Sequence, residues 1–436
     1  MKYTLNTYGW SFEAIGKSLT DEQVLKIKEF MEENGHEKLW ECRSDLDELL
    51  DIDTWAHAIK AVRENGMSEV TPVWLNKNRE RFVYELEMLH TRVWDTNFKG
   101  GFGVLENTFI PEHVYYAIRQ KLGYFLITTP MESFLDDYML GQIHTYFKLH
   151  NIPLSQVIYL TNSINCKEVY ESFCERHNVT EFINCEYIGT WINLIVPDCQ
   201  KPSLQKPYIA GPKLKTFLKF NRRYREQRFL FLLEVYKRDL LDDFYISFAK
   251  DEPENQISFI NYAKRMRNHY QMNITDEMIN ELNEKLPLVL DTPDLSVFPV
   301  EKNIDDTYKF YENSLVHIIA ETNFFGNIMH LTEKTLKPIM YKQPFIVLGP
   351  KDSLKYIRNM GFKTFNDIWD ESYDTIVDDM ERMYRTIDLI ENISKKTEQE
   401  KIDISYKVKD IVEFNFEQMK NRQPIEVYDF LNRYGV

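Results

Sequence analysis

Between two apolar runs, VHIIA (316–320) and FIVLG (345–349), the chain places Glu321, Thr322 and Asn323 and then Thr332, Glu333 and Lys334. An acid and a base stand side by side where a loop turns into a helix, flanked by strand-like segments. A helix that opens near Thr332 points free backbone N–H groups outward from an end carrying partial positive charge, and phosphate binds such ends readily. Lys334 adds a full charge on a flexible stem, and the two oxygens of Glu333 suit the paired hydroxyls of a ribose. One ligand that carries both hydroxyls and phosphates is a nucleotide. A second cluster, Asn221-Arg222-Arg223-Tyr224-Arg225 with Arg228 one turn on, follows the strand-like run TFLKF. Guanidinium groups bind phosphate oxygens in pairs and stay charged when partly buried, so this cluster suits a diphosphate leaving group.

These residues need a scaffold that brings strand ends and helix starts to one edge, and the pattern supplies it. GYFLITTP reads as a strand, SFLDDYMLGQIHTYFKLHN as a helix and QVIYLTN as the next strand; NVTEFINCEYIGTWINLIVPD adds an extended piece. Strand, helix, strand at this spacing is a βαβ unit and implies a parallel sheet. PDCQKPSLQKPYIAGPK reads as a linker. TFLKF, a basic turn, a helix and DDFYISF repeat the rhythm, and VHIIAET, the helix at TEK, PFIVLG, a helix at SLKYIRNMG and FKTF continue it. The first 95 residues open with a strand, YTLNTYGW, and read mainly as helix, as at SLTDEQVLKIKEFMEENG. The tail EFNFEQMKNRQPIEVYDFLNRYG reads as a terminal helix pair. The expected organisation is an N-terminal helical segment (1–95), two Rossmann-like α/β domains (96–205 and 206–415) and a helical tail (416–436).

Composition bounds the function. At 436 residues the chain is long enough for two or three domains. Signal-peptide character is absent from MKYTLNTYGW and no run of about 18 apolar residues occurs, so the expectation is a soluble cytoplasmic protein without membrane partners. Five cysteines, Cys42, Cys166, Cys174, Cys185 and Cys199, form no CxxC pair and read as free thiols rather than a metal site. A net charge of −15 argues against non-specific coating of nucleic acid. Against it stands one basic band. Between 201 and 238 lie Lys201, Lys206, Lys213, Lys215, Lys219, Arg222, Arg223, Arg225, Arg228, Lys237 and Arg238, with only Glu226 and Glu234 opposing. The DxD spellings Asp45–Asp47 and Asp51–Asp53 fall in a charged helical run and read as a solvated face. Gly100-Gly101-Phe102-Gly103 is too short for a phosphate loop.

The run AETNFFGNIMHLTEKTLKPIMYKQPFIVLG resembles the donor-binding signature of alpha-1,3-fucosyltransferases, complete at Thr332-Glu333-Lys334 and partial at Glu321-Thr322-Asn323, which replaces an ENS element. The wider set NRRYREQR, ISF, ETNF, TEKTLKPI, PFIVLGP, GFKTF and DESYD, over roughly 210–385, is similar to glycosyltransferase-like proteins of tailed bacteriophages. The resemblance implies a GT-B glycosyltransferase, with two Rossmann-like domains facing across a cleft, a nucleotide-diphosphate sugar in the C-terminal one and no required metal or other cofactor. It implies that the acid of TEK meets the ribose and its lysine the phosphates, with Arg222 or Arg223 on the diphosphate. A catalytic base would come from the N-terminal domain: Glu132 after GYFLIT, with Asp136 and Asp137 as alternatives, while His144 and His150 read as packing or surface residues. The expected acceptor is a hydroxymethylated pyrimidine such as hydroxymethylcytosine in phage DNA, inside an infected bacterial host. The alternatives are a glycan or small-molecule acceptor, or a non-catalytic nucleotide-binding or phage interaction module.

Overall fold

A computed structural model describes residues 82–87, 112–129, 135–221, 224–252, 257–290, 304–423 and 432–434. The strand YTLNTYGW, the SLTDEQ helix and both DxD triplets lie outside them. The chain divides into two compact units: Met1–Thr190 with Ile425–Val436, and Trp191–Pro424.

The first unit carries a four-stranded parallel sheet, β1 (Phe82–Glu87), β2 (Gly123–Thr129), β3 (Val157–Thr161) and β4 (Asn184–Tyr187), in chain order. Strand β1 falls in the segment expected to be mainly helical. Its sequence, FVYELE, alternates apolar and polar residues with the period of a strand, which explains the difference. The connections include α1 (Glu112–Arg119), α2 (Asp137–Leu149) and α3 (Cys166–Arg176), as parallel pairing requires. All five residues of β3 are buried, the composition of a strand covered on both faces.

In the second unit, a short helix α4 (Thr190–Ile195) enters from the first, and β5 (Lys215–Lys219), α5 (Glu226–Lys237) and β6 (Phe244–Ile246) form one parallel unit. A two-stranded antiparallel ribbon, β7 (Asp251–Glu252) with β8 (Ile257–Ser258), precedes α6 (Phe259–His269) and α7 (Asp276–Lys285). Then come α8 (Ile304–Glu312), β9 (Ser314–Ala320), α9 (Glu333–Met340), β10 (Phe345–Leu348), α10 (Ser353–Asn359), α11 (Asp379–Ser394) and α12 (Glu398–Lys420). Every residue of β9 and β10 is buried. The sheet order is β10-β9-β5-β6, all parallel.

That order has a consequence for ligands. From β5 the chain winds outward to β6; from β9 it winds the opposite way to β10. The direction therefore reverses between β5 and β9, and open α/β sheets bind ligands outside the carboxyl ends of strands at such a switch point. Among the described strands, the sheet of the first unit runs one way throughout and has none.

Two expectations need correction. FKTF (362–365) forms no strand. The side-chain amide of Asn415 on α12 instead accepts from Lys363 N (2.7 Å) and donates to Lys363 O (2.9 Å), doing for this segment what a neighbouring strand would do. The start of the expected terminal helix pair is the last part of α12, whose amino end is fixed by a reciprocal Thr397–Glu400 capping box.

Candidate active site at the β5/β9 switch point

Glu321 follows directly on β9 and is fully buried. Its Oε1 accepts from Thr332 N (3.0 Å) and Thr335 Oγ1 (2.6 Å); its Oε2 accepts from Thr332 Oγ1 (2.7 Å) and Thr322 N (3.4 Å). The carboxylate therefore bolts the first turn of α9 to the end of β9. Its acceptor capacity is spent within the chain, which makes Glu321 a positioning residue and not a ligand contact. Asn323, half-buried, reaches Ile328 O at 3.5 Å within the same loop. Arg382 braces that loop from beneath: wholly buried, it donates to Phe324 O (3.0 Å), Gly349 O (3.1 Å) and Ile376 O (2.8 Å), and it pairs with Asp379. At Gly349, just past β10, a Cβ would stand 2.5 Å from Ser353 Oγ, so a larger residue there requires that hydroxyl to shift.

Helix α9 opens where the sequence predicts, with Thr332 as its N-cap. Its mouth differs from the bare amides expected. Thr332 Oγ1 accepts from Lys334 N (3.2 Å), Thr332 O takes Thr335 N (3.1 Å), and the Glu333 carboxylate turns back on its own backbone N–H. A threonine cap and a first-turn glutamate both satisfy orphan amides locally, so the exposed function at this mouth belongs to side chains. Lys334 Nζ lies 2.8 Å from Glu333 Oε1 and 3.2 Å from Thr332 Oγ1, with 29% of the lysine side chain and 16% of the glutamate exposed. Burial works against ionisation of Glu333, but Lys334 and Lys337 outweigh it and hold the carboxyl down at about 2. Glu333 is an anion at any physiological pH.

Helix α5 meets the same edge. Gln227 Nε2 donates to Glu321 O (2.6 Å) and Thr322 O (3.0 Å), and the buried Arg228 directs Nη2 at Ala320 O (3.5 Å). The amino ends of α5 and α9 thus converge on the end of β9, the juxtaposition expected of the TEK and NRRYREQR segments. Arg222 and Arg223 lie outside the described residues. Asn221, which precedes them, is buried and tied by its backbone N to Ser247 Oγ (3.2 Å).

Two groups here were not singled out in the sequence. Lys219, the last residue of β5, is fully buried with its ammonium nitrogen 4.4 Å from the Phe231 ring centroid and no hydrogen-bond partner. Burial, with Arg228 nearby, lowers its pKa well below the ordinary lysine value. A lysine closing an otherwise apolar strand, TFLK, was the available signal. The second is His330, which accepts from Trp191 Nε1 at Nε2 (3.2 Å); burial, assisted by Lys334, lowers it to about 3, so the ring is neutral and carries its proton on Nδ1.

Of the expected bases in the first unit, Glu132 lies outside the described residues. Asp136 caps α2, its Oδ1 accepting from Met139 N (2.7 Å). Asp137 is held low by hydrogen bonds from Arg176 (2.6 Å) and His177 (2.9 Å). His144 is buried against Tyr170 OH (2.9 Å) and His150 stacks on Tyr115, both packing roles. Cys166, Cys174, Cys185 and Cys199 are buried free thiols. Among the described residues no group of three or more His, Cys, Asp or Glu is arranged to hold a metal, and no helix is long and apolar enough to cross a membrane.

The fold and the edge together define a mixed α/β protein with two Rossmann-like parallel sheets and polar groups gathered at one switch point. No family model matches the chain, and no curated protein matches it in sequence. Among solved structures it is similar to the trehalose-6-phosphate phosphatase N-terminal domain of Candida albicans, with 10% identity and a TM-score of 0.38 over 87% of this chain and 75% of that one. It is also similar to the trehalose-6-phosphate synthase OtsA, with 9% identity and a TM-score of 0.33 over 79% of this chain and 82% of that one.

Proposed function

We propose that the chain is a glycosyltransferase of GT-B type that moves a sugar from a nucleotide-diphosphate sugar to a hydroxyl acceptor. One observation carries the reading: the amino ends of α5 and α9 flank the β5/β9 switch point and bring Arg228, Glu333 and Lys334 to one edge. Glu333, ionised and partly exposed, accepts from the ribose hydroxyls. Lys334 neutralises phosphate oxygens, joined by Arg222 or Arg223 from the sequence preceding α5. As the bond from the anomeric carbon to the diphosphate oxygen breaks, negative charge grows on that oxygen, and fixed cations stabilise it without a metal. The acceptor oxygen bonds to the anomeric carbon and its proton passes to a carboxylate, for which Glu132 is the first choice and Asp136 the second.

The acceptor we favour is a hydroxymethylated pyrimidine in phage DNA, supported by the resemblance over 210–385 and by the basic band within 201–238. A flipped base needs only a local groove, compatible with the acidic chain as a whole. The test is the nucleoside mass profile of hydroxymethylated DNA incubated with the protein and a panel of nucleotide sugars. A hexose-sized mass added to one nucleoside supports the reading. Transfer only to glycans or small hydroxyl compounds moves the acceptor to that class, and donor binding without turnover leaves a binding module.

A further inference from the structure

Three unsatisfied polar atoms crowd the carboxyl end of β5. Lys219 Nζ has no hydrogen-bond partner, and neither Nδ2 nor Oδ1 of Asn221 has one, although Lys219 is completely buried and Asn221 is 3% exposed. A buried polar group without a partner costs about 1–3 kcal/mol, and more when it is ionisable, so native chains keep few of them. Two neighbouring side chains that both bear this cost at a switch point mark a place where a ligand supplies the missing partners.

The ligand's charge follows from what surrounds the lysine. Arg228 faces it from α5, and the Phe231 ring lies beneath it. From β9, His317 interacts with it, and burial holds that ring neutral at about 3, with Lys219 and Lys337 acting in the same direction. From the end of β6 comes the Ser247 hydroxyl, bonded to the Asn221 backbone. Among the described residues, the buried Glu321 carboxylate at the end of β9 is engaged by four donors. The cationic and neutral donors gathered here make a seat for an anion. Burial disfavours the charged form of the free amine, and an arriving polyanion favours the ammonium.

We propose that Lys219, Asn221 and Arg228 form a cradle for a phosphoryl group. The inference rests on the nucleotide-sugar reading and deepens it: donor capture at this edge is proton-coupled, tighter at lower pH and weaker as pH rises. The free protein has the opposite slope. An unfolded lysine binds its proton up to the ordinary lysine range while the folded one does not, so stability climbs with pH across that window.

Inorganic pyrophosphate is the probe, and calorimetry in buffers of different ionisation enthalpy counts the protons. The expected results are net proton uptake on binding in the pH window between the free and the occupied amine's pKa, and an affinity that falls by up to about tenfold per pH unit across that window. Lys219→Met keeps the stem packed and removes the buried amine. It is expected to fold, to melt higher than wild type, to lose the alkaline gain in stability and to bind pyrophosphate without proton uptake and more weakly. Asn221→Ala should weaken binding and retain the uptake. Pyrophosphate that fails to bind, binds without uptake, or takes up the same proton in Lys219→Met overturns the cradle. Proton-coupled binding without sugar transfer from any nucleotide sugar would leave the cradle standing and remove the transferase reading; transfer without uptake would do the reverse.

Discussion

Glu321 shows how a residue's role depends on where its bonds go. The sequence pairs it with Glu333 as a candidate ligand contact, yet four internal donors consume one carboxylate while the other stays partly open. Glu321→Ala strands Thr332 N, Thr332 Oγ1 and Thr335 Oγ1 in the core, and a loss on the order of 3 kcal/mol is expected in urea unfolding. If stability is unchanged, the bolt between β9 and α9 has no energetic weight. The acid was legible as special because it ends an apolar strand, but a sequence does not reveal which of two acids is bonded inward. Lys219 left only the trace of a lysine closing an apolar strand, for a related reason: burial of an ionisable group without a partner breaks the usual pattern, and packing exposes the breach.

At the scale of elements, two helix starts carry opposite pH signatures. Glu333 on α9 falls from 4.5 to about 2, so its contribution is complete above the ordinary glutamate range and is lost as pH drops from about 4.5 towards 2. Asp374 accepts from Leu354 N at the start of α10 (3.1 and 3.0 Å), and burial raises it from 3.8 to about 6. Here the folded state binds the extra proton, so stability rises as pH falls from about 6 to about 4. Melting temperature against pH should therefore pass through a maximum between these windows. Asp374→Asn should flatten the rise on the neutral side and Glu333→Gln the fall on the acid side; parallel curves for wild type and both variants would contradict the assignments. The elements themselves were readable from apolar runs and their spacing, as at GYFLIT, QVIYLT and VHIIA. FKTF was not, because a side-chain amide on a distant helix satisfies the backbone that a strand would otherwise pair.

At the scale of the whole molecule, the charge pattern and the reversal of chain direction bear most on function. A chain of net charge −15 with one basic band should bind DNA weakly and with a modest salt dependence if DNA is the acceptor. The slope of log affinity against log salt should report a few phosphate contacts, and a flat profile would point to a small or glycan acceptor. Sheet order was beyond the reach of sequence, since βαβ rhythm fixes that strands are parallel without fixing which are neighbours. The switch point between β5 and β9 emerges only from that order, and the proposed function depends on it. The most direct measurement is release of free nucleoside diphosphate from a panel of nucleotide sugars by wild type and by Lys334→Ala, with hydroxymethylated DNA present. Release by wild type and a loss of about a hundredfold or more in the variant, with its fold intact, is the predicted result. Equal release by both, or none from any donor by wild type, would contradict the account.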